Sequence, residues 1–206
     1  GLSVVTLCYL RRSIDFCKTM LDQSTLNTIQ ISTEVYGLYS QIFQILKEFK
    51  NSLNTSFNDE ERRAMMDALG QAGSDYRWNY YLQGFSGKDT QASIADMIAF
   101  LDLAQQYIEH SLRANKRSDD LYHTYNTLRF NDKSASVKHL YEMLEGQAAI
   151  LSSGLLSGEE SLALLESLRQ SPLYRADQHS YILYPDRQLP GFLEKNRMTS
   201  DQVSDL

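Results

Sequence analysis

Apolar residues recur at spacings of three and four through most of this chain, the period of a helix that buries one face. Val4, Leu7, Cys8, Leu10, Ile14, Cys17 and Leu21 predict a first helix over about residues 3–21. Ile31, Val35, Leu38, Ile42, Ile45, Leu46 and Phe49 predict a long second helix from about Thr25 to Phe49, ended by polar residues 51–58. Asn58 with Glu61 fits a capping box that opens a third helix near Asp59. Gly70 and Gly73 are expected to end or break it, and an aromatic-rich helix resumes over Tyr76–Leu82. Ile94, Met97, Ile98, Leu101, Ala104, Ile108 and Leu112 predict a fourth helix from about Thr90 to Arg113. Ser136 opens a fifth, carrying Val137, Leu140, Tyr141, Leu144, Ala148 and Leu151, which Gly154 closes. Ser157 with Glu160 is a second capping box, for a sixth helix ending before Pro172.

The prolines stand at 172, 185 and 190, so nothing earlier breaks a helix strongly, and the chain beyond Tyr174 reads as extended or turn-rich. The expected fold is therefore all-α: an irregular antiparallel bundle of about six helices, or part of an (α/α) toroid, with an extended C-terminal segment. Residues 1–196 are expected to form one helical domain and residues 197–206 a frayed polar tail. No repeat of solenoid length is visible.

Composition narrows the function classes. A chain of 206 residues, 22% charged and 42% apolar, is an ordinary globular sequence. A net charge of −6 lacks the basic face that nucleic acid or an anionic membrane requires. No apolar run approaches the ~18 residues of a membrane span, and Leu2–Leu10 lacks the marks of a signal peptide. Cys8 and Cys17 lie nine residues apart in one predicted helix, a rise of roughly 13 Å against a disulfide limit of ~7 Å. They are expected to be buried reduced thiols in a cytoplasmic protein. The start at Gly1-Leu2, without methionine, suggests an expression scar or an excised fragment.

Candidate chemistry concentrates in two segments that interrupt the helical period, 119–126 and 180–190. Asp120, Tyr122, His123 and Asn126 in the first, with Tyr181, Tyr184, Asp186 and Arg187 in the second, combine hydrogen-bonding groups with flat aromatic faces. That mixture suits a polyhydroxyl ligand, whose rings carry apolar C–H faces. The same residues also suit a structural role, tyrosines pinning loops while Asp and Asn cap turns. Asp119 and Asp120, being adjacent, point apart and make a poor acid–base pair. His139 and Glu142 share a helix face in this reading, but no second such pair exists to complete a metal site. No glycine-rich phosphate cradle or nucleophile elbow is present, so no cofactor is expected. Trp78, with Tyr76, Tyr80 and Tyr81, could form an aromatic wall, but core packing suits helix-borne rings better.

Three blocks carry a resemblance. Ala114-Asn115-Lys116-Arg117-Ser118-Asp119-Asp120-Leu121-Tyr122-His123-Thr124-Tyr125-Asn126 is one. The second is His139-Leu140-Tyr141-Glu142-Met143-Leu144-Glu145-Gly146-Gln147 with Leu151-Ser152-Ser153-Gly154. The third runs from Ser171-Pro172-Leu173-Tyr174-Arg175 through Ser180–Pro190 to Phe192-Leu193-Glu194-Lys195-Asn196. Together they resemble stretches of large bacterial proteins related to cellobiose phosphorylase, over residues 114–196. The resemblance implies a cytoplasmic carbohydrate-active protein with an (α/α) toroid, acting on glycosidic bonds by hydrolysis or phosphorolysis. It departs at one point: the family's acid, an Asp in a Trp-containing loop, has no match, since Trp78 is flanked by Arg77 and Asn79. No catalytic residue carries over. The expected function is the helical part of such a protein, supporting or lining an oligosaccharide site. The alternative is a non-catalytic helical scaffold that docks on the rest of a larger polypeptide or on itself.

Overall fold

The computed structural model describes residues 2–198, so the expected frayed tail lies almost wholly outside the described residues. The chain is not all-α. Seven α-helices are joined by three small antiparallel sheets among the described residues. In order, the elements are β1 (Leu2–Ser3), α1 (Val4–Asp22), β2 (Thr28–Ser32), α2 (Thr33–Glu48), a 3-10 turn (Lys50–Asn54) and α3 (Asp59–Gln83). There follow β3 (Asp89–Ser93), α4 (Ile94–Arg113), β4 (Tyr125–Phe130), β5 (Ala135–His139), α5 (Leu144–Ser152) and α6 (Gly158–Gln170). Short β6 (Tyr174–Arg175), β7 (Ser180–Tyr181) and α7 (Phe192–Lys195) complete the chain.

The corrections share a physical cause. Thr28-Ile29-Gln30-Ile31-Ser32 alternates polar and apolar, and Thr and Ile are β-branched, so the segment pairs with Asp89–Ser93 instead of extending α2. Three strands run directly into helices, each at a serine whose hydroxyl accepts from the backbone three residues on: Ser3 from Thr6, Ser32 from Val35, Ser93 from Asp96. The predicted fifth helix begins eight residues late, because Ala135–His139 pairs with Phe130–Asn126 across a tight turn. The Asn131 side chain accepts from the Lys133 and Ser134 amides and closes that turn. β1 adds Leu2 and Ser3 to the outer edge of β4.

Gly70 and Gly73 do not stop α3, which continues to Gln83 and ends at Gly84, whose φ is +67°. An interior glycine costs only about 1 kcal/mol, and Ala72, between the two, is buried. Both predicted capping boxes form, and Gly154 takes φ +75° just beyond α5.

Two cores share α4. One gathers Val4, Cys8 and Ile14 from α1, Ile108 and Leu112 from α4, Ile150 from α5 and Leu164 from α6 around Leu121, Tyr122 and Leu173. The other packs Leu46, Leu103 and Tyr107 with Phe43, Phe57 and Phe100. Cys17, expected inside, is exposed. Trp78 and Tyr81 do not pack into either core: they are 59% and 65% exposed, their rings edge to face at 6.0 Å. No helix among the described residues is long and apolar enough to cross a membrane.

Candidate functional site

The loop leaving α4 doubles back tightly. The Arg117 amide donates to the Leu121 carbonyl at 2.8 Å and the His123 amide to the Asn115 carbonyl at 2.9 Å. Asp120 sits at the bend with φ +61°, a left-handed conformation that Asp tolerates better than most residues. Each of the adjacent carboxylates takes a different cation. Asp119 accepts both prongs of Arg117 at 2.9 and 2.8 Å, while Asp120 meets the Lys116 ammonium at 2.7 Å. Arg117 also reaches Glu142 at 3.2 Å, tying the loop to the connection between β5 and α5. The guanidinium holds the Asp119 carboxyl below the usual carboxylate range. Asp119 is thus a permanent acceptor at neutral pH, not a proton donor.

Gln147 anchors the loop from beneath. Fully buried on α5, its amide oxygen accepts from the Tyr122 amide at 2.9 Å and its nitrogen donates to the Tyr122 carbonyl at 2.8 Å. It satisfies both backbone groups of Tyr122 as a neighbouring strand would. Beside it, a polar chain fixes its own orientation. Asn115 Nδ2 donates to the Ser111 carbonyl, so Asn115 Oδ1 accepts from Asn126 Nδ2 at 2.8 Å. Asn126 Oδ1 is then left to accept from His139 Nδ1 at 2.7 Å. The His139 ring lies flat on that of His123, centroids 3.9 Å apart and 6° from parallel. His123 Nδ1 in turn lies 3.3 Å from the Leu140 carbonyl, an acceptor, so it carries the proton.

The second segment meets the first across the same connection. The Leu144 amide donates to the Leu183 carbonyl at 3.1 Å, and the Ile182 amide to the Leu173 carbonyl at 2.8 Å. Tyr184 packs edge-on against Tyr141, and the Arg187 guanidinium lies 4.5 Å from the Tyr141 ring centroid. Tyr181 packs on Tyr174 at 5.2 Å, and Asp186 is exposed.

Of the residues singled out by sequence, Tyr122 and Asn126 are buried and hold the scaffold. His123 lies half-buried in the stack. Asp120 reaches an open cleft of about 380 Å³, where Asp119, Asp120 and Glu142 face Ser167, Gln170 and Ser171. Tyr181, Tyr184, Asp186 and Arg187 do not line that cleft: Tyr184 and Arg187 pack on Tyr141, Tyr181 on Tyr174, and Asp186 is exposed. Glu142 and Tyr141 are the additions the structure makes. They are not on a helix, so the helical pairing of His139 with Glu142 does not exist. Among the described residues no group of three His, Cys, Asp or Glu side chains is placed to hold a metal. Burial pushes the Cys8 thiol up to about 11, which leaves it inert as a nucleophile.

No protein-family model matches the chain, and no curated protein matches it in sequence.

Proposed function

We propose that this chain is the part of a glycoside hydrolase- or phosphorylase-like protein that supports and lines a sugar site without carrying the catalytic acid, and that it works in the cytoplasm. One observation carries the reading. The two segments that bear the resemblance, separated by more than fifty residues, come together on residues 140–144 beside an open cleft. The cleft offers carboxylates, an amide and hydroxyls to accept and donate hydrogen bonds. The cations that pair with Asp119 and Asp120 fix those carboxylates in place. The free thiols fit a reducing compartment.

Titration calorimetry with cellobiose and longer cello-oligosaccharides tests it. Weak saturable binding that Glu142→Gln reduces is the expected result. Absence of heat together with unchanged NMR signals from residues 119–121 and 142 would refute the sugar site.

A second reading is favoured by the cluster at the end of α3, where Trp78, Tyr80, Tyr81, Leu82 and Phe85 are all exposed. This makes the chain a scaffold whose apolar surface docks on another protein surface. Concentration-dependent association in ultracentrifugation, abolished by Trp78→Ser, supports it, and a monomer at all concentrations counts against self-association.

A further inference from the structure

Away from the cleft, a smaller pocket of about 230 Å³ opens between α2 and the start of α4. It is lined by the aromatic Tyr36, Tyr39 and Phe43 and by the polar Ser40, Gln44, Lys47, Ser93 and Asp96. Gln44 is committed, its amide nitrogen donating to Glu48 at 3.1 Å, and so are two more of these groups. The Lys47 ammonium sits 3.8 Å from the Phe43 ring centroid, and the Ser93 hydroxyl accepts from the Asp96 amide as the α4 cap. Two groups stand out. The Tyr39 hydroxyl is buried without any hydrogen-bond partner, and the Asp96 carboxylate has no ion pair among the described residues.

Buried hydroxyls almost always find a partner, so this one calls for a water or a ligand atom. Burial and the nearby Asp96 charge both raise the Tyr39 phenol, keeping it a donor that needs an acceptor. The ring packs edge-on against Phe100 at 5.1 Å. An ammonium cannot accept from the phenol. A carboxylate would face Asp96, and a hydrocarbon offers neither group a partner. An alcohol hydroxyl serves both, accepting from Tyr39 and donating to Asp96, while its carbon skeleton lies against the aromatic walls.

We propose that this pocket binds a small polyhydroxyl molecule of monosaccharide size, through a hydroxyl that bridges Tyr39 and Asp96. The volume falls below the ~300 Å³ at which drug-sized sites begin. The Tyr39 oxygen is nearly inaccessible, so binding includes a tilt of that ring toward the opening. The proposal stands apart from the reading of the cleft and survives that reading's failure.

Titrating the full chain with D-glucose and glycerol, with tetramethylammonium as the cationic control, tests it by amide NMR. Glucose should give saturable shifts at residues 36–47 and 93–96, and tetramethylammonium none. Tyr39→Phe should abolish those shifts while raising Tm, because it removes an unpartnered hydroxyl. Asp96→Asn should weaken the binding about tenfold. The proposal is overturned if neither polyol produces saturable shifts there, if tetramethylammonium does instead, or if Tyr39→Phe binds as the parent does. Shifts confined to residues 119–121 and 142 would support the cleft and reject this pocket.

Discussion

His123 shows how a single ring couples packing to pH. Burial disfavours its cation and the facing His139 ring adds to the effect, so its pKa lies below the ordinary value of 6.5. Arg117 and Asp119 act on it in opposite directions and more weakly than burial. The native state thus prefers the neutral ring, whereas the unfolded chain takes up a proton near pH 6.5. It follows that this contribution to stability is complete above pH 6.5. It declines as the pH falls from there toward the native value, where the unfolded state binds more protons. Asp119, whose carboxyl is held low by Arg117, loses its contribution only below its ordinary 3.8, so the two effects occupy separate windows. We expect Tm to fall more between pH 7 and 5 in the parent chain than in His123→Gln. Equal slopes in the two proteins would show that the stack carries no proton-linked stability.

At the scale of elements, α5 is seated by the absence of a side chain. A Cβ at Gly146 would drive into the Thr124 hydroxyl and come within 3.1 Å of the Thr124 Cα. Thr124 is fully buried, β-branched and bonded to the Met143 carbonyl, so neither its side chain nor its backbone can give way. Gly146→Ala gains helix propensity of about 1 kcal/mol, but overpacking of this kind costs about 1–3 kcal/mol or more. Net destabilisation in urea unfolding is expected, with Thr124→Ala/Gly146→Ala, which removes the clashing hydroxyl, less destabilised than the two single changes predict by addition. A Gly146→Ala protein as stable as its parent would mean that α5 can shift freely. What the sequence revealed at this scale followed local chemistry. Asn58 with Glu61, Ser157 with Glu160, and Gly154 act within a few residues, and all behave as their side chains dictate. The strands were harder to read because their partners are remote. Thr28–Ser32 finds its ladder some sixty residues on, and its Ile31 sits in phase with the apolar stripe of α2. Val137 continued the fifth helix's stripe in the same way, although Leu128 across the hairpin is its true neighbour. Trp78 and its aromatic neighbours looked like core for the same reason: helical spacing reports a face, but says nothing of whether another element covers it.

At the scale of the whole molecule, the two non-helical segments were visible in the sequence, but their meeting place was not. Tyr141 and Glu142 lay inside a predicted helix, yet they form the short connection on which both segments converge. Tyr141 receives the edge of Tyr184 on one contact and the guanidinium of Arg187 on another. An aromatic pair contributes roughly 0.5–1.5 kcal/mol and an exposed cation–π contact roughly 0.5–1 kcal/mol. Together these are large for a segment with few backbone bonds to the body of the protein. Tyr141→Ala should therefore release residues 182–187 without unfolding the cores. Hydrogen exchange would accelerate at Ile182 and Leu144, whose amides donate to Leu173 and Leu183, while amides of α1, α4 and α6 keep their protection. Tyr141→Phe, which retains the ring face, should restore protection at both. If Tyr141→Ala leaves those two amides protected, the segment is held by its backbone alone. If the loss spreads to α4 and α6, the connection belongs to the main cooperative unit and the two segments are not a separable device.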